Sequence, residues 1–175
     1  MKSYLEFAES SRILVITFIV TAVMLFGLFP FLPINGIMLD LLPEYSYEQV
    51  ISALGGYGSD GRMNYIIASL TLDTLFPFVY VTFFAGLMYR CRVTEGLWWL
   101  ALLPAVVGVI DLMENVQIVA MLAQYPEVGR TQVEIASMFT YGKHNLGYVY
   151  QFVAIVLVLI TLVRFTIKNL NKSTD

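Results

Sequence analysis

Cysteine, histidine and charge are what this 175-residue chain has least of, and each scarcity closes off a chemistry. There is one cysteine, one histidine, and a charged fraction of only 13%. Cys91 alone can form no disulfide within the chain and no cysteine metal site. Flanked by Arg90 and Arg92 in a short basic loop, it reads as a reduced bystander thiol. With His144 as the single imidazole, zinc and iron lack ligands, and the Glu-x-x-His pairs of four-helix di-iron proteins do not occur. HExxH, Gly-x-Ser-x-Gly and glycine-rich nucleotide loops are absent too, so neither metal nor organic cofactor is expected. Ser69 has no histidine on its own helix and reads as a packing hydroxyl. A net charge of −3 without a basic patch predicts no nucleic-acid partner.

Apolar residues are abundant instead: 58% of the chain, with a mean hydropathy of +0.74. Soluble domains carry about 25% charge, so this composition points to the lipid bilayer. Hydrophobic runs predict spans over residues 12–33, 63–89, 97–123 and 144–166, each meeting the roughly 20 residues that hydrocarbon requires. The first run is read as a retained span, since no Ala-x-Ala site follows it and Glu6 and Glu9 spoil a basic leader. The expectation is an all-α integral membrane four-helix bundle, a single domain over 1–175. Its outer loops are 34–62 and 124–143, and its inner loop is 90–96.

Charge sets the expected orientation. Lys2, Arg12, Arg90, Arg92, Arg164, Lys168 and Lys172 fall on one side, against Arg62, Arg130 and Lys143 on the other. The positive-inside rule then puts both termini in the cytoplasm, with the chain in the inner membrane and Trp98–Trp99 as an aromatic anchor.

Both outer loops carry helix signals. Ser46-Tyr47-Glu48-Gln49 is a capping box that opens a short amphipathic helix, which Gly55 and Gly56 should end. Thr131-Gln132-Val133-Glu134 is a second box, and Gly142 should interrupt before span four. The two short helices are expected on the outer surface, where they can cover the bundle mouth or rest on the headgroups. The loop acids Asp40, Glu44, Glu48 and Asp60 read as solvated charge or as a docking surface. Within span two, Pro77 cannot donate to the carbonyl of Asp73, which frees that group and predicts a kink.

Polar residues inside the spans mark the candidate site. At about 100° per residue, Arg62, Tyr65, Ser69, Asp73 and Tyr80 share one face, with Asp73 near mid-membrane. Asp111, Glu114 and Asn115, spaced i, i+3, i+4, share another. Span four adds Tyr141, His144 or Asn145, Tyr148 and Gln151. Three acids in apolar surroundings cannot all stay ionised without cations, for which Arg62, Lys143 and His144 are candidates. An acid that holds its proton beside an ionised one is what acid–base catalysis uses. Asp73 and Glu114 are therefore the candidate acid and base, with Asp111 setting their charge balance. Arg62, Tyr65, Tyr80, Asn115, His144, Tyr148 and Gln151 are candidate ligand-binding residues. A polar network that only fixes helix packing is the alternative.

Gly61-Arg62 with Tyr65, Asp73, Pro77 and Tyr80, followed by Asp111 with Glu114-Asn115, resembles a pattern in small bacterial four-span membrane proteins. The resemblance covers most of the chain and implies the bundle, with no activity attached. Sterol-isomerase-like EXPERA proteins are similar in their buried acids only, and ceramidase-like hydrolases need more histidines than this chain has. Three functions follow as expectations. The first is an acid–base enzyme acting on a lipid-like or isoprenoid substrate, in a carboxylate-rich pocket of the bundle's outer half. The second is a non-catalytic ligand-binding or partner subunit. The third is a proton-coupled carrier, which four spans could form only as a homodimer; the apolar run from Trp98 to Ile110 weighs against it.

Overall fold

The chain is all-helical, as the computed structural model shows for residues 1–172; the side chain of Lys172, counted above with the tail cations, lies outside the described residues. Helix α1 covers Lys2–Ala8, and α2 covers Ser11–Val23 behind a Ser10 cap. A π turn over Met24–Leu28 and a 3-10 turn over Phe29–Phe31 extend α2 to the proline-marked end of the first span. Helices α3 (Tyr47–Leu70) and α4 (Leu72–Arg90) form the second rod. A 3-10 turn over Glu95–Leu102 leads into α5 (Leu103–Gln124), where Pro104 occupies the first turn and needs no hydrogen-bond partner. Helix α6 runs over Arg130–Lys172.

Four helical stretches are long and apolar enough to cross a membrane: Ser11–Phe31, Tyr47–Arg90, Glu95–Gln124 and Arg130–Asn171. Their outward faces agree with that reading. Ile16, Phe18 and Ile19 on α2 and Phe152, Ile155 and Leu159 on α6 are each more than half exposed. In water such continuous apolar faces would be very unfavourable, whereas in hydrocarbon they are matched by their surroundings. The chain is thus an integral membrane protein in contact with lipid.

Four crossings bring both termini to one end. There Arg90 donates to the Glu9 carbonyl at 3.4 Å and to Ser11 Oγ at 2.8 Å, and Arg92 bridges Glu9 at 3.4 Å and Glu95 at 2.8 Å. Helix α1 lies directly against α4, with Gly86 facing the Ala8 carbonyl so closely that a Cβ would overlap it.

The opposite, far end differs from expectation in three ways. The Ser46–Gln49 capping box forms, with bonds of 3.3 and 2.7 Å. Its helix, however, does not stop at Gly55 and Gly56. It bends at Gly58 (φ 69°, ψ 177°), in backbone space that favours glycine, and continues to Leu70. Gly55 stays within the helix, where a Cβ would lie 3.1 Å from the Tyr125 hydroxyl, so glycine serves close packing there rather than a helix stop. Next, span two is not one straight helix: Thr71 (φ −115°, ψ −84°) breaks it between α3 and α4, separating Arg62 and Tyr65 from Asp73 and Tyr80. Lastly, the second surface helix is not separate. α6 starts at Arg130, one residue before the supposed Thr131 cap, and passes through Gly142 without a break. A lone mid-helix glycine costs only about 1 kcal/mol relative to alanine. Packing of α6 along α5 outweighs that.

The far-end pieces build their own apolar core. Leu39, Val50, Leu54, Tyr65, Ile118, Met121 and Ala136 are fully buried within it. The first surface helix is therefore part of a packed cap rather than a lone element on the headgroups.

Candidate functional site

Where the cap meets the spans, four elements converge on one cavity of about 740 Å³. Helix α4 supplies Asp73, Phe76 and Tyr80 along one face, spaced about one turn apart. From α5 come Val107 and Asp111. Lys143, His144, Tyr148 and Gln151 line it from α6, and Phe18, Thr21 and Phe26 from α2 and its extension. Helix α2 packs on α4 while α6 packs on α5, and the space between α2 and α6 is left to the cavity. Phe18, Phe26 and Tyr148 line it yet are more than half exposed. Its mouth therefore opens sideways, between α2 and α6.

The polar groups gather at the cavity's far end. Measured along α4 from Arg90, Asp73 is about 26 Å away at 1.5 Å per residue. Asp73 thus stands in the first turn of α4, at the end of that helix that meets the cap. Lys143 Nζ is 3.3 Å from Asp111 Oδ1 and forms a closer ion pair with Glu114 Oε2. Asp111 Oδ2 accepts from the Tyr80 hydroxyl at 3.1 Å, and Glu114 Oε1 accepts from Thr140 at 2.5 Å. Thr140 Oγ1 in turn lies 3.2 Å from the hydroxyl of Tyr45, in the loop before α3, whose phenol is pushed well above its ordinary pKa by burial. Tyr45 thus stays a neutral hydroxyl at any physiological pH.

Asp73 differs from these acids. It is 7% exposed, and its buried Oδ2 has no hydrogen-bond partner among the described residues. The bond it does make comes through its backbone: Asn115 Nδ2 donates to the Asp73 carbonyl at 3.1 Å. This is the carbonyl that Pro77 cannot serve, so the asparagine replaces the missing helix bond.

A fourth carboxylate enters from the loop. Asp40 lines the cavity, accepts from the Tyr65 hydroxyl at 2.5 Å, and has its carbonyl 3.1 Å from His144 Nε2. The loop is held down by buried Met38 and Leu39 and by Tyr57 donating to the Ile37 carbonyl at 2.6 Å. Asp40 is thus turned inward, unlike the solvated loop acid expected of it. Glu48 does remain at the surface, paired with Arg130 at 2.9 Å.

Of the residues singled out in the sequence, Asp73, Asp111, Tyr80, His144, Tyr148 and Gln151 line the cavity. Glu114 and Asn115 lie buried behind it. Tyr65 reaches it only through Asp40. Arg62 is elsewhere: it donates to the Leu54 carbonyl at 2.9 Å and stacks over Tyr125, so it does not meet Glu114. Gly58 and Thr71 re-aim this part of the chain, which a single-helix wheel cannot show. Lys143 is the cation that fills the role. Asp40 is the member that sequence reasoning missed; its one local signal is an acid set between Leu39 and Leu41. No protein-family model, curated protein or solved structure matches this chain.

Proposed function

We propose that this protein draws a lipid-like molecule, isoprenoid or of similar shape, from the bilayer into the cavity and performs acid–base chemistry on its polar end, with Asp73 as the reacting carboxylate. The observation that carries the reading is an almost fully buried, unpartnered carboxylate on the wall of a large, mainly apolar cavity. Carboxylates in apolar surroundings are ordinarily paired, and those left unpaired mark functional positions. Asp111 and Tyr80 complete the reacting end, while Lys143 holds Asp111 and Glu114 in place. Phe29, Phe76 and Phe18 offer apolar walls to the chain of the substrate.

A non-catalytic binding role is the second reading. It is favoured by Glu114, which is fully buried, bonded to Thr140 and Lys143, and absent from the cavity wall. A second proton-transfer group would then have to be Asp111 or His144. The loop-charge bias also supports cytoplasmic termini in an inner membrane. A C-terminal reporter active only in the cytoplasm tests that orientation.

The decisive experiment compares wild type, Asp73→Asn and Ala22→Trp, which fills the cavity from its α2 wall, where Ala22 lines it. Each is purified in lipid nanodiscs, incubated with the membrane lipid extract, and analysed by mass spectrometry. A species enriched and converted by wild type, bound but unconverted by Asp73→Asn, and lost in Ala22→Trp is the expected result. Enrichment without conversion in both of the first two leaves binding as the function. No enrichment over bulk lipid removes both.

A further inference from the structure

The charge of the cavity's polar end points to the class of molecule that fits it. Asp40, Asp73 and Asp111 line that end, Glu114 lies directly behind, and one ammonium, Lys143, faces the group from within hydrogen-bonding range. That ammonium is already shared between Asp111 and Glu114. His144 is engaged with the Asp40 carbonyl, and Arg62 is committed to Leu54 and Tyr125. Asp40 has a neutral phenol as its partner, and Asp73 has none for its buried oxygen. Acidic side chains at this end therefore outnumber the cationic ones that the chain supplies.

Next to the unpartnered acid stands an aromatic wall. Phe29 meets Phe76 edge-on with ring centroids 5.3 Å apart, and Phe76 meets Tyr80 at 5.1 Å. Carboxylates beside aromatic faces in a desolvated site suit an ammonium group: the acid offers charge and hydrogen-bond acceptance, and the rings offer their electron-rich faces. An anionic or phosphate headgroup would meet three acids at the same place. A neutral alcohol would bring no positive charge to pair with Asp73.

We infer that the cavity takes a hydrophobic amine: its hydrocarbon chain lies among the phenylalanines of α2 and α4, and its protonated nitrogen pairs with Asp73, with Asp40 alongside. The inference rests on the lipid-binding reading above and narrows it to a cationic headgroup. The lateral mouth suits such a molecule, because an amphiphilic amine partitions into the bilayer with its nitrogen near the interface. Asp73 stands at the cap end of its span, in the first turn of α4.

The test uses three probes of equal chain length: N,N-dimethyldodecylamine, 1-dodecanol and dodecanoate. Melting temperatures are measured in phosphatidylcholine nanodiscs for wild type, Asp73→Asn and Asp40→Asn; the second variant keeps an acceptor for Tyr65 and serves if the first folds poorly. The expected result is a rise of several degrees with the amine in wild type, reduced or lost in the variants, and no comparable rise with alcohol or carboxylate. Equal shifts with amine and alcohol that Asp73→Asn leaves unchanged overturn the amine while the lipid-like ligand stands. No shift in wild type with any probe overturns both.

Discussion

At the scale of single residues, the acids divide by what each is bonded to. Glu114 and Asp111 both depend on Lys143, so Lys143→Met strands two buried carboxylates. It should destabilise the protein by about 3–5 kcal/mol, as breaking a buried pair does. Unfolding in mild denaturing detergent, followed by circular dichroism, measures this, and adding Glu114→Gln should recover part of the loss. Asp73→Asn should by contrast leave the melting temperature unchanged or higher, because it removes an acid with no side-chain partner. A large fall in that variant would make Asp73 a structural residue and end the enzymatic reading. Asn115→Ala leaves the Asp73 carbonyl unserved, at about 1–2 kcal/mol. Pro77→Ala in the same chain restores a helix donor, so the two changes should be strongly non-additive in a double-mutant cycle. The freed carbonyl at Asp73 was legible in the sequence, because a proline's missing N–H is a local fact. Asp40 was not, because only the tertiary fold turns its loop inward over Tyr65 and His144. For the same reason the choice of Lys143 over Arg62 lay beyond a helical wheel.

At the scale of elements, close approaches and breaks decide where the functional side chains stand. Gly86 lets α1 lie on α4, and Gly86→Ala would press a Cβ into the Ala8 backbone. It should cost about 1–3 kcal/mol, as overpacking does, and should expose α1 to protease before the spans unfold; limited proteolysis reads this directly. The spans were plain in the sequence because apolar run length is a strong signal. The Ser46–Gln49 capping box was too, since its residues interact within one turn. Breaks and continuities were harder to read. Gly55, Gly56 and Gly142 look like stops, yet the chain remains helical at each and bends at Gly58 instead. The Thr71 break has no composition signal, and its geometry belongs to the junction between α3 and α4.

At the scale of the whole molecule, the spans stand largely in lipid while a packed cap closes the far end. The cap should carry much of the cooperativity on that side. Leu54→Ala, at a fully buried position, should cost about 2–5 kcal/mol. Hydrogen exchange should then rise through Val50–Tyr57 and the end of α5 together. Cap and cavity share α6, since Val133 and Ala136 lie in the cap core and Lys143 lies two turns further along. The sideways mouth between α2 and α6 has one more consequence, in how affinity must be expressed. A molecule that arrives through the bilayer meets the protein at its mole fraction in lipid, not at its concentration in water. Each added methylene deepens partitioning by about 0.8 kcal/mol, roughly fourfold, so a homologous series would show apparent binding from water that strengthens with chain length even if the protein gripped every member equally. Titrations at several lipid-to-protein ratios separate the membrane's share from the protein's.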